Sequence, residues 1–208
     1  VDCGMFQGLK ELRLLNWDEF PIDPSEIDVV VLTHAHLDHS GYLPRLFKQG
    51  FRGPVYCTRG TADLLTILLR DSAKLQEEEA EYAKRKGFSK HSNPLPLYNS
   101  EDVELVFPQL EPMAYNDELA IDERTSLRFY YAGHILGAAI VELTLHGPKQ
   151  KKKIVFSGDL GRYADPILYP PEPVKDADIL LVESTYGDRE SINLGVQSEL
   201  GEAISRGL

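Results

Sequence analysis

Four potential metal ligands lie within six residues, in the sequence His34-Ala35-His36-Leu37-Asp38-His39. They follow an apolar run at residues 29–32, which is typical of a buried strand. A lone histidine beside a strand is most often a hydrogen-bonded core or surface residue. Three histidines and an aspartate together are hard to explain by packing, and imidazole and carboxylate donors suit zinc or a similar divalent ion. The pattern therefore predicts a metal site at the end of a strand.

The spacing within this cluster predicts two neighbouring ions. His34, His36 and Asp38 alternate, and alternate residues of an extended segment point to one side. His39, directly after Asp38, would then point elsewhere. We therefore expect His34 and His36 on one ion, and Asp38 with His39 on the other.

Composition restricts the classes of partner. The 208 residues, 42% hydrophobic and 26% charged, are ordinary for a globular chain with one good-sized core. The formal charge of −11 argues against a general nucleic-acid binder, because phosphate binding needs a basic surface. Two divalent ions would offset four of these charges at the site itself. The charge therefore weakens a nucleic-acid hypothesis without removing it.

Cysteine usage and hydropathy bear on the compartment. Cys3 and Cys57 are the only cysteines and neither has a Cys-x-x-Cys neighbour. Cys57 ends a strand-like segment, so we expect it to be buried and reduced, as in the cytoplasm. No apolar segment approaches the length of a membrane span.

Hydrophobic periodicity predicts helices and strands in mixed order. Helical segments are predicted at residues 41–49, 61–86, 101–104 and 191–206. Strands are predicted at residues 29–32, 53–58, 118–121, 126–132, 138–145, 153–157 and 178–182, the last one buried. Several consecutive strands form hairpins, so the order indicates an α/β sandwich with mixed sheets and not a doubly wound parallel sheet.

Two further candidate ligands follow later strands. His134 stands in Gly-His-Ile-Leu-Gly after the strand at 126–132, and Asp159 stands in Gly-Asp-Leu-Gly after the strand at 153–157. Flanking glycines allow the backbone to turn at both places. A Gly-Asp-x-Gly turn alone is weak evidence, but two ligands at strand ends behind His-x-His-x-Asp-His are strong evidence together. The remaining histidines, His91 and His146, are not expected to be ligands.

These residues, with Asp2 ahead of them, resemble the metallo-β-lactamase superfamily. Residues 182–189, Val-Glu-Ser-Thr-Tyr-Gly-Asp-Arg, are similar to the first signature of its β-CASP branch, the nucleases that process RNA and DNA. The resemblance implies an incomplete αββα sandwich with mixed sheets over residues 1–183. It also implies that residues 184–208 begin a β-CASP domain, and that the chain is a piece of a longer enzyme.

Transferred by position, the resemblance implies a two-zinc hydrolase that acts on RNA as an endo- or exoribonuclease. The first zinc would take His34, His36 and His134, the second would take Asp38 and His39, and Asp159 would bridge them. A hydroxide between the ions would attack the phosphodiester in line, with Asp38 orienting it. Asp2 would tighten the ligand geometry, and Glu183 would support a catalytic histidine supplied from elsewhere.

The chain also departs from the family pattern. Similar proteins add one histidine to the second metal and use another as general acid, both from beyond the β-CASP insertion. After His134 only His146 remains, so we expect the second zinc site of this piece to be weak or empty. The expected partner is RNA, within a homo-oligomer or an RNA-processing complex and without a membrane.

Two other functions stay open. A thioester or lactone hydrolase of the same superfamily usually places its next histidine sooner after the cluster, and residues 183–185 would have no role in it. A non-catalytic scaffold subunit of an RNA-processing complex usually lacks some of the ligands, whereas every ligand within this sequence is present.

Overall fold

A computed structural model of the chain describes residues 1–87, 94–188 and 196–207. The strands are β1 (Val30–Val31), β2 (Val55–Thr58), β3 (Leu110–Met113), β4 (Glu118–Ala120), β5 (Thr125–Tyr131), β6 (Ala139–His146), β7 (Lys151–Phe156) and β8 (Ile179–Leu181). The helices are α1 (Lys10–Leu14), α2 (Leu37–Ser40), α3 (Leu43–Lys48), α4 (Arg59–Lys86), α5 (Ser100–Glu104) and α6 (Val196–Gly207). Within the described ranges, no helix is both long and apolar enough to cross a membrane.

The strands form two sheets of different character. The first has the order β1-β2-β3 and is parallel throughout. The second has the order β4-β5-β6-β7-β8, with antiparallel pairs up to β7 and a parallel pair between β7 and β8. Mixed α/β architecture with mixed strand directions, as predicted, is confirmed.

Two apolar clusters fill the space between the helices and the two sheets. The facing sides of the two sheets bury the side chains of Val31, Leu127, Phe129, Ala139 and Val141. Helices α3, α4 and α5 cover the other side of the first sheet with a larger cluster that includes Phe47, Leu65, Leu69 and Val103. A helix layer, a sheet and a second sheet therefore stack in the order expected for this sandwich.

Several local predictions were wrong. The strand at residues 178–182 is not buried: Leu180, at its centre, is 58% exposed, because β8 pairs only with β7 at the edge of its sheet. Strand β3 and helix α1 were not predicted. Helix α4 begins at Arg59 and not at Thr61, because the Thr58 side chain accepts the Thr61 N–H as its cap. The predicted helix at 191–206 begins at Val196 in the described part, since residues 189–195 lie outside it.

Both cysteines are buried and free, which confirms the prediction for Cys57. Burial disfavours the thiolate and raises the pKa of Cys57 to about 12.

Helix α4 also anchors a loop that carries a candidate ligand. The hydroxyls of Thr58 and Thr61, at the start of α4, donate to the Gly137 carbonyl over 2.6 and 2.9 Å. Gly137 has a φ of +82°, and a Cβ there would lie 2.1 Å from the Thr61 nitrogen. Only glycine therefore allows the loop after β5, which contains His134, to pack this closely on the helix.

Helix α4 offers a matched test of the core. Leu65→Ala removes a fully buried side chain and should lower the free energy of unfolding by about 2–5 kcal/mol. Ile67→Ala, two residues along the same helix at a position 65% exposed, should change it by less than about 0.5 kcal/mol. Urea denaturation would measure both, and equal effects would contradict the placement of α4 on the sheet.

Candidate metal centre

Three imidazoles and one carboxylate converge at the ends of the strands. His36 Nδ1 lies 3.0 Å from His34 Nε2 and 3.2 Å from His134 Nε2. Asp159 Oδ2 is 3.8 Å from His34 Nε2 and 3.5 Å from His134 Nε2. One ligand atom from each of these four residues lies within 4.8 Å of the others. Three nitrogen donors and one oxygen at this spacing fit a divalent metal ion.

The protonation of His34, which is buried, and of His134, which is partly buried, also fits a metal. Burial, followed by the repulsion of His39, His36 and His134, lowers the pKa of His34 to about 2. Burial likewise lowers the pKa of His134, against the opposing attraction of Asp159. Both imidazoles are therefore neutral near pH 7, which is the form that coordinates metals.

His39 approaches the opposite side of the Asp159 carboxylate. Its Nε2 lies 3.3 Å from Asp159 Oδ1 and 3.8 Å from Asp38 Oδ2. The two oxygens of Asp159 thus face different histidines, as a carboxylate between two ions would. Burial disfavours protonated His39, but the hydrogen bond to Asp2 and the nearby carboxylates outweigh it and raise its pKa.

The extended conformation predicted through Asp38 is wrong beyond His36. The chain turns there into helix α2, where the amides of His39 and Ser40 both donate to the His36 carbonyl over 2.9 Å. The Asp38 side chain is 56% exposed and does not belong to the group of four convergent residues. It remains next to His39, and the binding of one ion by these two residues stays a prediction.

A hydrogen-bond network behind the histidines orients their rings. Asp2 accepts the Thr33 amide over 2.7 Å and the Thr33 hydroxyl over 2.9 Å. Since that hydroxyl donates its one hydrogen to Asp2, it accepts from His34 Nδ1, 3.0 Å away. Asp2 also lies 2.8 Å from His39 Nδ1. Both histidines therefore carry a proton on Nδ1 and direct Nε2 towards Asp159, so Nε2 is the atom that each would offer to a metal ion.

Tight backbone packing holds Asp2 in place. The Cys3 amide donates to the His39 carbonyl over 2.7 Å, and the Tyr42 amide donates to the Cys3 carbonyl over 2.9 Å. A Cβ on Gly4 would lie 1.6 Å from the Asp38 carbonyl oxygen, so only glycine permits this approach. Thr33 was not among the predicted site residues; its place directly before the His-x-His pattern was the available signal.

Glu183 joins two loops at the edge of this centre. Its carboxylate accepts the Leu160 amide over 2.9 Å and the Thr185 amide over 3.1 Å. Burial favours the protonated acid, but these amide donors and the Thr185 side chain outweigh it and lower the pKa of Glu183. No hydrogen bond between this carboxylate and a histidine occurs among the described residues. A cleft of about 680 Å³ borders Glu183, His134 and Asp159.

The other histidines lie apart from the centre. His146, at the end of β6, is hydrogen-bonded through Nε2 to the Ser126 hydroxyl over 3.1 Å. His91 lies outside the described residues.

Comparison with known proteins gives one family and several relatives. A model of the beta-lactamase superfamily domain matches residues 1–205. Ribonuclease TTHA0252 of Thermus thermophilus is 42% identical over 189 residues, which cover 91% of this chain and 38% of that protein. The transcription termination factor FttA of Methanocaldococcus jannaschii is 32% identical over 193 residues, which cover 92% of this chain and 28% of that protein. An RNase J-like protein of the same organism is 31% identical over 216 aligned positions, which cover 100% of this chain and 43% of that protein.

The chain therefore spans less than half the length of these relatives. Among solved structures, the subclass B3 metallo-β-lactamase MEM-A1 from a soil metagenome library matches with a TM-score of 0.44 and 15% identity. That match covers 78% of this chain and 60% of the other.

The hydroxyl of Thr33 can be tested directly. Thr33→Val keeps the side-chain shape but leaves Asp2 and His34 Nδ1 without their shared partner, so divalent metal affinity should fall by about 10–100-fold. Competition with a chromophoric chelator would measure the affinity, with circular dichroism to verify folding. Thr33→Ser restores the hydroxyl and should restore the affinity. An unchanged affinity in a folded Thr33→Val variant would contradict the assigned network.

Proposed function

The chain belongs to the metallo-β-lactamase superfamily, and we propose that it supplies the metal-binding part of a zinc-dependent hydrolase that cleaves RNA phosphodiesters. The observation that carries the proposal is the convergence of His34, His36, His134 and Asp159. Relatives named as a ribonuclease and an RNase J-like protein support RNA as the substrate.

We infer two zinc sites that share one carboxylate. The first set of ligands is His34, His36 and His134, the second is Asp38 and His39, and Asp159 lies between them. Neutral imidazoles and carboxylates are donors that zinc accepts readily. When bound, the two ions would lower the pKa of a water to about 7 and stabilise the charge that develops on the phosphate.

The protein's own groups prepare this chemistry. Asp2 and Thr33 hold His34 and His39 in the tautomer that exposes Nε2. The Asp38 carboxylate is exposed beside His39, where it would orient the attacking water. Glu183 accepts the amide of Leu160, directly after Asp159, and so holds the shared carboxylate in place.

The same proposal extends to the domains, the compartment and the partners of the protein. Residues 1–183 would form the metallo-β-lactamase-like domain, and residues 184–208 would begin a second domain of the β-CASP type. The full-length protein would act on RNA in the cytoplasm, as a homo-oligomer or within an RNA-processing complex. Two free, buried cysteines are consistent with a reducing compartment.

Activity should depend on RNA and on the convergent histidines. We expect the full-length protein to cleave labelled RNA, and His34→Ala to abolish cleavage and lower the zinc content. His146→Ala, which changes a histidine outside the cluster, should retain both. Gel analysis of the RNA and metal analysis of each variant would provide the measurements.

A parallel incubation with a thioester substrate separates the alternatives. If the RNA survives while the thioester is hydrolysed, the ribonuclease proposal fails. Cleavage of RNA that persists in His34→Ala despite a reduced zinc content would overturn the assignment of the site.

A further inference from the structure

The cleft beside the metal centre extends well beyond the ligands. At about 680 Å³ it is within the usual size of a ligand-binding site and much larger than a metal ion requires. One wall is the loop after β7, residues 158–165, and the other is the segment after β8, residues 183–187. His134 and Asp159 border the same cleft, so a molecule attacked at the metal centre would continue along these walls.

Among the described residues that line this cleft, Arg162 is the only lysine or arginine. Its neighbouring carboxylate, Asp165, accepts the amides of Ile167 and Leu168 over 2.8 Å each. Glu183 is likewise held by backbone amides. The guanidinium of Arg162 is exposed. Among the described residues it has no hydrogen bond and no ion pair within 4 Å, although its charge attracts Asp165 from farther away and helps to lower the pKa of that carboxyl. A free guanidinium presents a fork of N–H donors that suits a phosphate.

The opposite wall presents an aromatic ring. Tyr186 is 69% exposed and stands on a turn in which the Gly187 amide donates to the Ser184 carbonyl over 3.0 Å. Its ring contacts no other aromatic ring in the described part of the chain. An exposed aromatic ring across a groove from a cation matches how proteins bind single-stranded nucleic acid, by base stacking and by phosphate contact.

Glu183 links the two segments that carry these groups. One of its oxygens accepts the amide of Leu160, two residues before Arg162, and the other accepts the amide of Thr185, directly before Tyr186. The two walls are therefore joined by one carboxylate. A groove arranged before the substrate arrives loses less conformational entropy on binding.

We propose that Arg162 and Tyr186 form a subsite for single-stranded RNA next to the metal centre. Arg162 binds a phosphate adjacent to the one that is hydrolysed, and Tyr186 stacks on a flanking base. The inference rests on the proposed function, because the hydrolysed phosphate lies at the His134 and Asp159 end of the same cleft. Since every base has a π face, the subsite has little sequence preference.

Binding measured at several salt concentrations separates the two contacts. The full-length holoprotein is titrated into a fluorescein-labelled, hydrolysis-resistant phosphorothioate RNA of about eight nucleotides, with anisotropy as the readout. Arg162→Gln should weaken binding about fivefold at low salt and reduce the slope of log Kd against log salt by about 0.7. Tyr186→Ala should weaken binding about tenfold at every salt concentration, whereas Tyr186→Phe retains the ring and the affinity.

Matched controls lie outside the cleft. Tyr163→Ala removes an aromatic ring that is 81% exposed and adjacent to Arg162 but not part of the lining. Arg124→Gln removes an exposed guanidinium from the turn between β4 and β5. Neither should change the affinity by more than about twofold, since an isolated surface charge contributes little. Zinc content should be equal in all variants.

The outcomes distinguish this inference from the proposed function. If the unsubstituted protein binds and cleaves RNA while Arg162→Gln and Tyr186→Ala bind as well as it does, the subsite is wrong and the ribonuclease proposal stands. Equal losses in Arg162→Gln and Arg124→Gln would show a general charge effect and overturn the role of Arg162. If the unsubstituted protein neither binds nor cleaves RNA, both proposals fail.

Discussion

The candidate centre depends on one carboxylate near the start of the chain. Asp2 accepts from the amide and the hydroxyl of Thr33 and from the His39 ring. Because an ionised carboxylate can only accept, every group that faces it must donate. This requirement fixes the direction of the neighbouring hydrogen bonds as well. The Thr33 hydroxyl donates to Asp2 and must therefore accept from His34 Nδ1, so both His34 and His39 direct Nε2 away from Asp2. One partly buried carboxylate thus determines which nitrogen two separate histidines offer to a metal.

Close backbone packing brings the remaining ligands to the same place. The Ala139 amide donates to the Thr33 carbonyl over 2.8 Å, and a Cβ on Gly158 would lie 2.7 Å from the Thr33 Cβ. The loops that carry His134 and Asp159 also meet each other, since a Cβ on Gly161 would lie 1.8 Å from the Gly133 carbonyl oxygen. Glycine at these positions lets three strand ends approach to a distance that side chains would prevent. The candidate ligands converge because the backbone segments that carry them pack closely against each other.

The sequence predicted the ligands better than the groups that orient them. The histidine cluster and the strands that precede His134 and Asp159 leave local patterns, and the structure brings His34, His36, His134 and Asp159 together. For Thr33 the sequence offers only its place directly before the His-x-His pattern, because its role depends on Asp2, 31 residues away in sequence. Strand β3 reads Leu-Glu-Pro-Met and lacks alternation, so only its pairing with β2 defines it.

The charge of the chain restricts how the proposed site would recognise RNA. A net charge of −11 argues against the broad basic surface that supplies most non-specific affinity for nucleic acids. RNA would therefore be recognised by a few groups close to the metal centre, and the cleft contains such groups. Backbone amides donate to both oxygens of Glu183 and to one oxygen of Asp165, and neither carboxylate forms an ion pair within 4 Å of Arg162. Metal ions, one guanidinium and one aromatic ring would then bind a short stretch of single-stranded RNA. Because few phosphates contribute to this binding, its affinity would decrease only modestly with salt concentration.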